Sequence, residues 1–288
     1  MTVRQFLVRV YMKVKHEALR ARVKKQDWEF GLSQDKRTPP VIISLTSFPR
    51  RFPELDLCLK SLFNQEMKAD RIVLWLGNDA SVEETEALRS RYSGYGLEVI
   101  RDEGNNYFSH KKYYYVMRDY PDAVVVTADD DLIYPSDWLG TLYESYRKHP
   151  DCISARRVCR IVWDEEGNPK PYGCWPGEVK AREPSHDLVA TTGAGALFPP
   201  GCLGNEALKP EVFMSKARTA DDLWIKIMAV LKDVKVVWAE NNMIMPTTIN
   251  LNQDVELANE NVRDGKNDVI FHDLCAYYKL DKDDFKRV

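Results

Sequence analysis

Between residues 41 and 128 the chain alternates two hydrophobic patterns. VIISLT (41–46), RIVLWLG (71–77), LEVIRD (97–102) and AVVVTA (123–128) are short apolar runs rich in Val, Ile and Leu. Runs of that length and composition read as buried strands. Between them, LDLCLKSLFNQ (55–65), SVEETEALRSRY (81–92) and HKKYYYVMRDY (110–120) repeat their apolar residues at helical spacing. Ser81 reads as a helix cap followed by acids in the first turn. Pro121 ends the third helix. The order βαβαβαβ predicts an α/β fold, with a mostly parallel sheet covered by helices on both faces. Ligands of such sheets bind off the carboxyl ends of the strands.

Beyond residue 135 the pattern is less regular. SDWLGTLYESYRKHP (136–150) predicts a helix capped by its serine. CISARRVCRIVWDEEG (152–167) predicts a hairpin strand and turn, and PYGCWPGEVKAREP (171–184) a loop. TTGAGALFPPG (191–201) is a glycine-punctuated strand and turn, TADDLWIKIMAVLKD (219–233) a helix, and VKVVWA (234–239) a last strand. Residues 250–268 are polar and acidic, which predicts mobility. At the other end, Val3, Phe6, Leu7, Val10, Val14 and Ala18 recur at helical spacing with Arg and Lys between them. Residues 3–25 are therefore expected to form an N-terminal amphipathic helix. GLSQDKRTPP (31–40) is expected to link it to the rest, so 1–38 and 39–288 are the expected units.

Charge sharpens that division. Residues 1–25 hold eight basic residues and one acid, while the other 263 hold 33 basic and 43 acidic ones, a net −10. A basic amphipathic helix fits an anionic membrane surface, or a packed helix or dimer contact. An acidic body argues against a nucleic-acid partner, whose binding rests on phosphate neutralisation. No run approaches the roughly 20 apolar residues of a membrane span, and the N-terminus lacks the apolar core of a signal peptide. The six cysteines are scattered with no CxxC pair. They predict reduced thiols in a cytoplasmic protein rather than a disulfide framework or a zinc site.

Asp129-Asp130-Asp131 ends the fourth strand. Three adjacent carboxylates repel one another, and period-two alternation would put Asp129 and Asp131 on one side. A hard divalent cation, Mg2+ or Mn2+, would offset that repulsion through its preference for oxygen ligands. The plainer reading is a solvated acidic turn. Asp221-Asp222 opens the 219–233 helix, where acids favour the macrodipole. Gly193, Gly195 and the Pro199-Pro200-Gly201 turn allow either a close backbone approach to a ligand or simple turn chemistry. Trp175 is either a packing residue or a stacking platform.

The segments SLTSFPRR (44–51), RIVLWLGND (71–79), SHKKY (109–113), VVVTADDDLIYP (124–135), GAGALFPPG (193–201) and ADDLW (220–224) appear in that order. In this order the chain resembles GT-A glycosyltransferases over residues 40–245. It is most similar to inverting, family-2-like bacterial enzymes of capsule and lipopolysaccharide synthesis. The resemblance implies a Rossmann-like GT-A sheet whose first half, about 39–135, binds a nucleotide-sugar, and whose second half binds a saccharide acceptor.

It also implies roles for individual residues. Asp131, at the last DxD position, would bind the metal on the diphosphate. Asp129 would share the metal or meet the ribose, with Asp130 beside it in the donor site. Thr46 would face the nucleoside, and Asp79, here after Asn78, a uracil-type base edge. Lys112 or Lys111 would face the diphosphate. Asp222 would be the general base and Asp221 would orient the acceptor. His272 is a candidate to complete the metal shell from a C-terminal lid. Acceptors of such enzymes are often lipid-linked at the inner membrane face, which gives the basic helix a peripheral membrane role. A metal-dependent nucleotidyltransferase is the first alternative, but it needs a Gly-rich phosphate loop that SLTSFPRR lacks. A non-catalytic carbohydrate-binding protein is the second. Oligomeric state is left open.

Overall fold

The structure is a computed structural model that describes residues 3–240, 245–249 and 265–286, with side chains from residue 13 onward. After helix α1 (Val3–Lys25) come β1 (Val41–Thr46), α2 (Leu55–Phe63), β2 (Arg71–Leu76), α3 (Val82–Tyr92) and β3 (Leu97–Arg101). Next are α4 (Lys111–Asp119), β4 (Val124–Asp129), β5 (Leu132–Ile133), α5 (Trp138–Lys148), β6 (Ile153–Ala155) and β7 (Val158–Arg160). The chain continues through β8 (Leu188–Ala190), β9 (Ala196–Phe198), α6 (Pro210–Lys216), α7 (Asp221–Leu231) and β10 (Val236–Trp238). The last described elements are β11 (Thr247–Thr248) and α8 (Lys266–Tyr278).

Seven strands form one sheet in the order β10-β6-β9-β4-β1-β2-β3. All its pairings are parallel except those of β9 with β4 and β6. The mostly parallel α/β sheet expected from the pattern is therefore present. Its apolar runs are continuous because both faces are covered. Ile42, Val73, Trp75 and Val125 pack under Tyr113, Val116 and the α7 residues Trp224 and Ile227. Val41, Ile43, Leu45 and Leu74 pack under α2 and α5, with Leu59, Leu62, Leu139 and Leu142. Ser81 caps α3 as expected: its side chain accepts from the Glu84 N–H, and the Glu84 carboxylate accepts from the Ser81 N–H. Such a reciprocal cap contributes about 1 kcal/mol.

Four expectations need correction. Segment 152–167 is not a hairpin: β6 joins the main sheet while β7 pairs with β8. The cap residue of α5 is Asp137, without a side-chain cap bond, because the Ser136 hydroxyl donates to Glu66 instead. Of the stretch 250–268, the part up to 264 lies outside the described residues, and from Lys266 the chain is helical rather than mobile.

The basic helix, for which both a membrane surface and packing on the body are open from the sequence, is docked along its second half. His16 and Val23 are buried there, whereas Val14 is 64% exposed. The inward face is thus 16-23, not the Val14-Ala18 side of the stripe; the side chains of Val3, Phe6, Leu7 and Val10 lie outside the described residues. Lys60 donates to the Lys24 and Gln26 carbonyls at the helix end, at 2.9 and 2.7 Å. His16 Nε2 lies 2.6 Å from the Thr248 carbonyl. Thr248 belongs to β11, which pairs antiparallel with β5, and the Ile249 N–H donates to the Asp131 carbonyl at 2.7 Å. Helix α1 therefore braces the strand that supports the backbone of the aspartate triplet. Residues 31–40 are also docked, with backbone bonds from Gly31 to Tyr95 and from Ser33 to Ala69. No helix among the described residues is long and apolar enough to cross a membrane.

Candidate active site

The carboxyl ends of β1, β2 and β4 and the start of β9 bring most of the sequence-selected residues to one edge of the sheet. Strand β4 ends at Asp129, and Asp130-Asp131 form a turn into β5. Period-two alternation stops with the strand, so the expected pairing of Asp129 with Asp131 fails. It is Asp130 and Asp131 that share a partner. One guanidinium nitrogen of Arg51, Nη1, lies 2.6 Å from Asp130 Oδ1 and 2.7 Å from Asp131 Oδ2. The Ser47 hydroxyl donates to the other oxygen of Asp130 at 2.5 Å. Burial opposes the Arg51 charge, but Asp130, Asp131 and Asp129 outweigh it and hold the guanidinium protonated more firmly than usual.

Asp129 turns to the opposite side. Lys112 Nζ donates to it at 2.9 Å and lies 3.1 Å from Asp221 Oδ2. Lys111 and Lys112 occupy the first turn of α4, where cations oppose the macrodipole. Both are buried, and the balance between burial and the acids opposite differs between them. For Lys112, burial is outweighed by Asp129, Asp221 and Asp222, which raise its pKa. For Lys111, burial prevails over Asp79, Asp130 and Asp102, and its pKa falls. Its ammonium donates to Asn106 Oδ1 at 2.9 Å.

Asp221 and Asp222 sit side by side but in different surroundings. Lys112, with help from His110 and a Ser109 hydrogen bond, overcomes burial and lowers the Asp221 pKa. Burial and the neighbouring Asp221 charge raise the Asp222 pKa, despite Lys112 and Thr192. Thr192 holds Asp222 in place twice, from its hydroxyl at 2.6 Å and its backbone N–H at 3.0 Å, both to Oδ1. The second Asp222 oxygen takes no part in those bonds. Two carboxylates held apart in protonation are the arrangement acid–base chemistry requires.

The glycine turn before β9 has a definite purpose. A Cβ on Gly193 would lie 2.1 Å from Asp129 Oδ2, and one on Gly195 would lie 2.2 Å from Trp138 Nε1. Gly195 also adopts φ +108. The close approach is thus to Asp129 and Trp138. Tyr134 joins the pieces: its hydroxyl accepts from the Asp129 N–H at 2.7 Å and donates to the Gly193 carbonyl at 2.9 Å.

The remaining candidates divide. Thr46 is at the end of β1, with its hydroxyl donating to the Trp75 carbonyl at 2.8 Å. Asp79 is exposed beyond β2, its Oδ1 2.8 Å from where a Gly77 Cβ would stand. Trp175 is buried against Tyr172 and Phe271, with Nε1 donating to the Lys170 carbonyl at 2.8 Å, so it packs rather than presenting a stacking face. His272 is exposed on α8, whose inward residues are Phe271 and Leu274. The expected set Asp129, Asp131 and His272 is not assembled: among the described residues no three His, Cys, Asp or Glu side chains converge as a metal-holding group. All six cysteines are free thiols. Arg51, Ser47, Tyr134 and Thr192 were not singled out from the sequence. The adjacent arginines of SFPRR, directly after a strand beside the acid triplet, were the available signal.

Comparison with known proteins agrees with this arrangement. The family described as glycosyl transferase family 2 matches residues 45–199. No curated protein is matched. Among solved structures, S. aureus TarS 1-349 in complex with UDP is 13% identical, with a TM-score of 0.50, covering 84% of this chain and 72% of its own. The mannosyltransferase PcManGT from Pyrobaculum calidifontis, in complex with GDP-Man and Mn2+, is 14% identical, with a TM-score of 0.50, covering 93% and 79%. At these identities the likeness shows the fold.

Proposed function

Because the chain belongs to glycosyl transferase family 2, we propose that it moves a sugar from a nucleotide-sugar to a saccharide or lipid-linked acceptor, with inversion at the anomeric carbon. The observation that carries this reading is the placement of Asp221-Asp222 at the same sheet edge as Asp129–Asp131, with Asp221 3.1 Å from Lys112 Nζ and Asp222 held through one oxygen by Thr192 at 2.6 and 3.0 Å. Asp222 takes the proton of the acceptor hydroxyl while that oxygen attacks the anomeric carbon. The bond from that carbon to the diphosphate oxygen breaks, and its electron pair leaves with the nucleoside diphosphate. Asp221, fixed by Lys112, orients the acceptor side of the cleft. Thr46 and Asp79 at the ends of β1 and β2 meet the nucleoside, and Lys111 faces the diphosphate. A UDP-sugar is the donor this reading favours.

The donor chemistry of Asp131 suits Mg2+ or Mn2+, which take one or two protein carboxylates and fill the shell with phosphate oxygens: it is 19% exposed at the mouth of the site, whereas Asp129 faces Lys112. Such an ion would screen the charge that develops on the departing diphosphate. Asp131→Asn is expected to weaken Mn2+-dependent UDP binding about tenfold or more, since each lost charge contact costs over a kcal/mol. Calorimetry with and without Mn2+ measures this; equal Mn2+-dependent affinity in the variant would remove Asp131 from the metal site.

Synthesis of a surface polysaccharide, capsule or lipopolysaccharide, is the setting we propose, with α1 meeting an anionic inner membrane face. The basic residues of α1 support that contact, although its second half is committed to packing. A chain with Arg4, Arg9, Lys13, Lys15, Arg22, Lys24 and Lys25 replaced by Gln keeps the docked face of α1 and is expected to lose sedimentation with anionic vesicles. Unchanged sedimentation would leave α1 a purely structural helix.

A further inference from the structure

The aspartate triplet has two internal cations, and they are held in different ways. Lys112 is buried on α4 between Asp129 and Asp221, locked by contacts on both sides. Arg51 comes from the short 3-10 turn Pro49–Glu54 that follows β1, and its side chain remains 16% exposed. Its guanidinium lies over the Phe48 ring, 5.3 Å from the centroid, and Phe48 is itself exposed. Arg51 therefore has a route toward solvent and the mouth of the site that Lys112 lacks.

The two carboxylates that Arg51 bridges also differ. Asp130 is buried and satisfied a second time by the Ser47 hydroxyl. Asp131 is the more exposed of the two. Three adjacent carboxylates left without a cation would repel one another; Arg51 and Lys112 supply two within the protein. A divalent ion arriving at Asp131 would meet a fixed positive charge 2.7 Å from the oxygen it needs. Like charges at that range repel strongly away from bulk water.

We propose that Arg51 is a resident counter-ion of Asp131 that a divalent cation displaces on binding, so that metal entry frees the guanidinium for an anionic group of the donor. Arg51 is thus a positioning residue: it keeps the triplet assembled beforehand and sets how tightly the metal binds. This inference rests on the metal assignment made above.

The test is Mn2+ binding without nucleotide, followed by the electron paramagnetic resonance signal of free Mn2+. Arg51→Met is expected to bind Mn2+ about tenfold more tightly than the wild type, because a competing positive charge is gone. Arg51→Lys keeps the charge and is expected to stay close to the wild type. Unchanged or weaker binding in Arg51→Met overturns the inference, as does equal tightening in Arg51→Lys. Asp131→Asn separates the two readings: if it binds Mn2+ as the wild type does, the metal assignment itself is wrong. If Arg51→Met does not fold, the wild-type protein still answers. Saturating Mg2+ is then expected to shift the Arg51 Nε–H resonance, and an unmoved resonance overturns the displacement.

Discussion

Asp222→Asn is expected to lower sugar transfer by about 10²–10⁴-fold while leaving nucleoside diphosphate affinity within about twofold. The reason lies in what the substitution keeps. Asn retains an oxygen that accepts both Thr192 bonds, from the hydroxyl at 2.6 Å and the N–H at 3.0 Å. It loses only the basic oxygen. It also ends the repulsion between the Asp222 carboxylate and Asp221 which, together with burial, raises the Asp222 pKa. The variant is therefore expected to melt no lower than the wild type, which excludes unfolding as the cause of lost activity. The pH dependence follows from the same shift. A base must be deprotonated to act, so activity falls as pH drops through the raised Asp222 pKa, above the ordinary carboxylate range. An acid limb at an ordinary carboxylate value, or an Asn variant with wild-type turnover, would mean that another group takes the proton.

Lys112→Met is expected to cost about 3–5 kcal/mol of stability at neutral pH, because it leaves Asp129 and Asp221 facing each other without their shared cation. Both ion pairs are short, 2.9 and 3.1 Å, and Lys112 is nearly inaccessible. The sign with pH can be worked out. Asp221 has a lowered folded pKa, so it contributes stability above its unfolded pKa that is lost as pH falls through the folded one. In Lys112→Met that contribution disappears and the ionised carboxylates become a liability. Urea melts at neutral pH and near pH 4 measure this: the gap to the wild type is expected to narrow at the lower pH. A gap of constant size would assign the loss to packing of the lysine stem instead.

The parts of the fold that local pattern determines were legible. Strands β1 to β4 are apolar because both faces of the sheet are covered, and each falls within a residue or two of its predicted range. The Ser81 cap was readable because all its partners lie within four residues. The site was legible only as a set of acids. Their partners come from far along the chain: Arg51 meets Asp130 across 79 positions, and Thr192 meets Asp222 across 30. No periodicity carries such pairings. The Asp129–Asp131 expectation failed for a local reason, the end of β4 at Asp129, after which strand geometry no longer applies. Gly193 shows a further limit: its missing side chain makes room for Asp129, a fact of tertiary approach that composition leaves open. Helix α1 was predicted at its true length, but its inward face is led by His16, a polar residue whose partner is the Thr248 carbonyl, 232 positions away.

The central claim is sugar transfer from a nucleotide-sugar with Asp222 as the base. The most direct measurement is release of free nucleoside diphosphate from a panel of nucleotide-sugars, with Mn2+ and a mixture of saccharide and lipid-linked acceptors. Wild type and Asp222→Asn are to be compared side by side. The account predicts that the wild type releases nucleoside diphosphate from at least one donor in an acceptor-dependent way, and that the Asn variant binds the same donor without releasing it. Equal release by both proteins, or nucleoside monophosphate as the product, would contradict it.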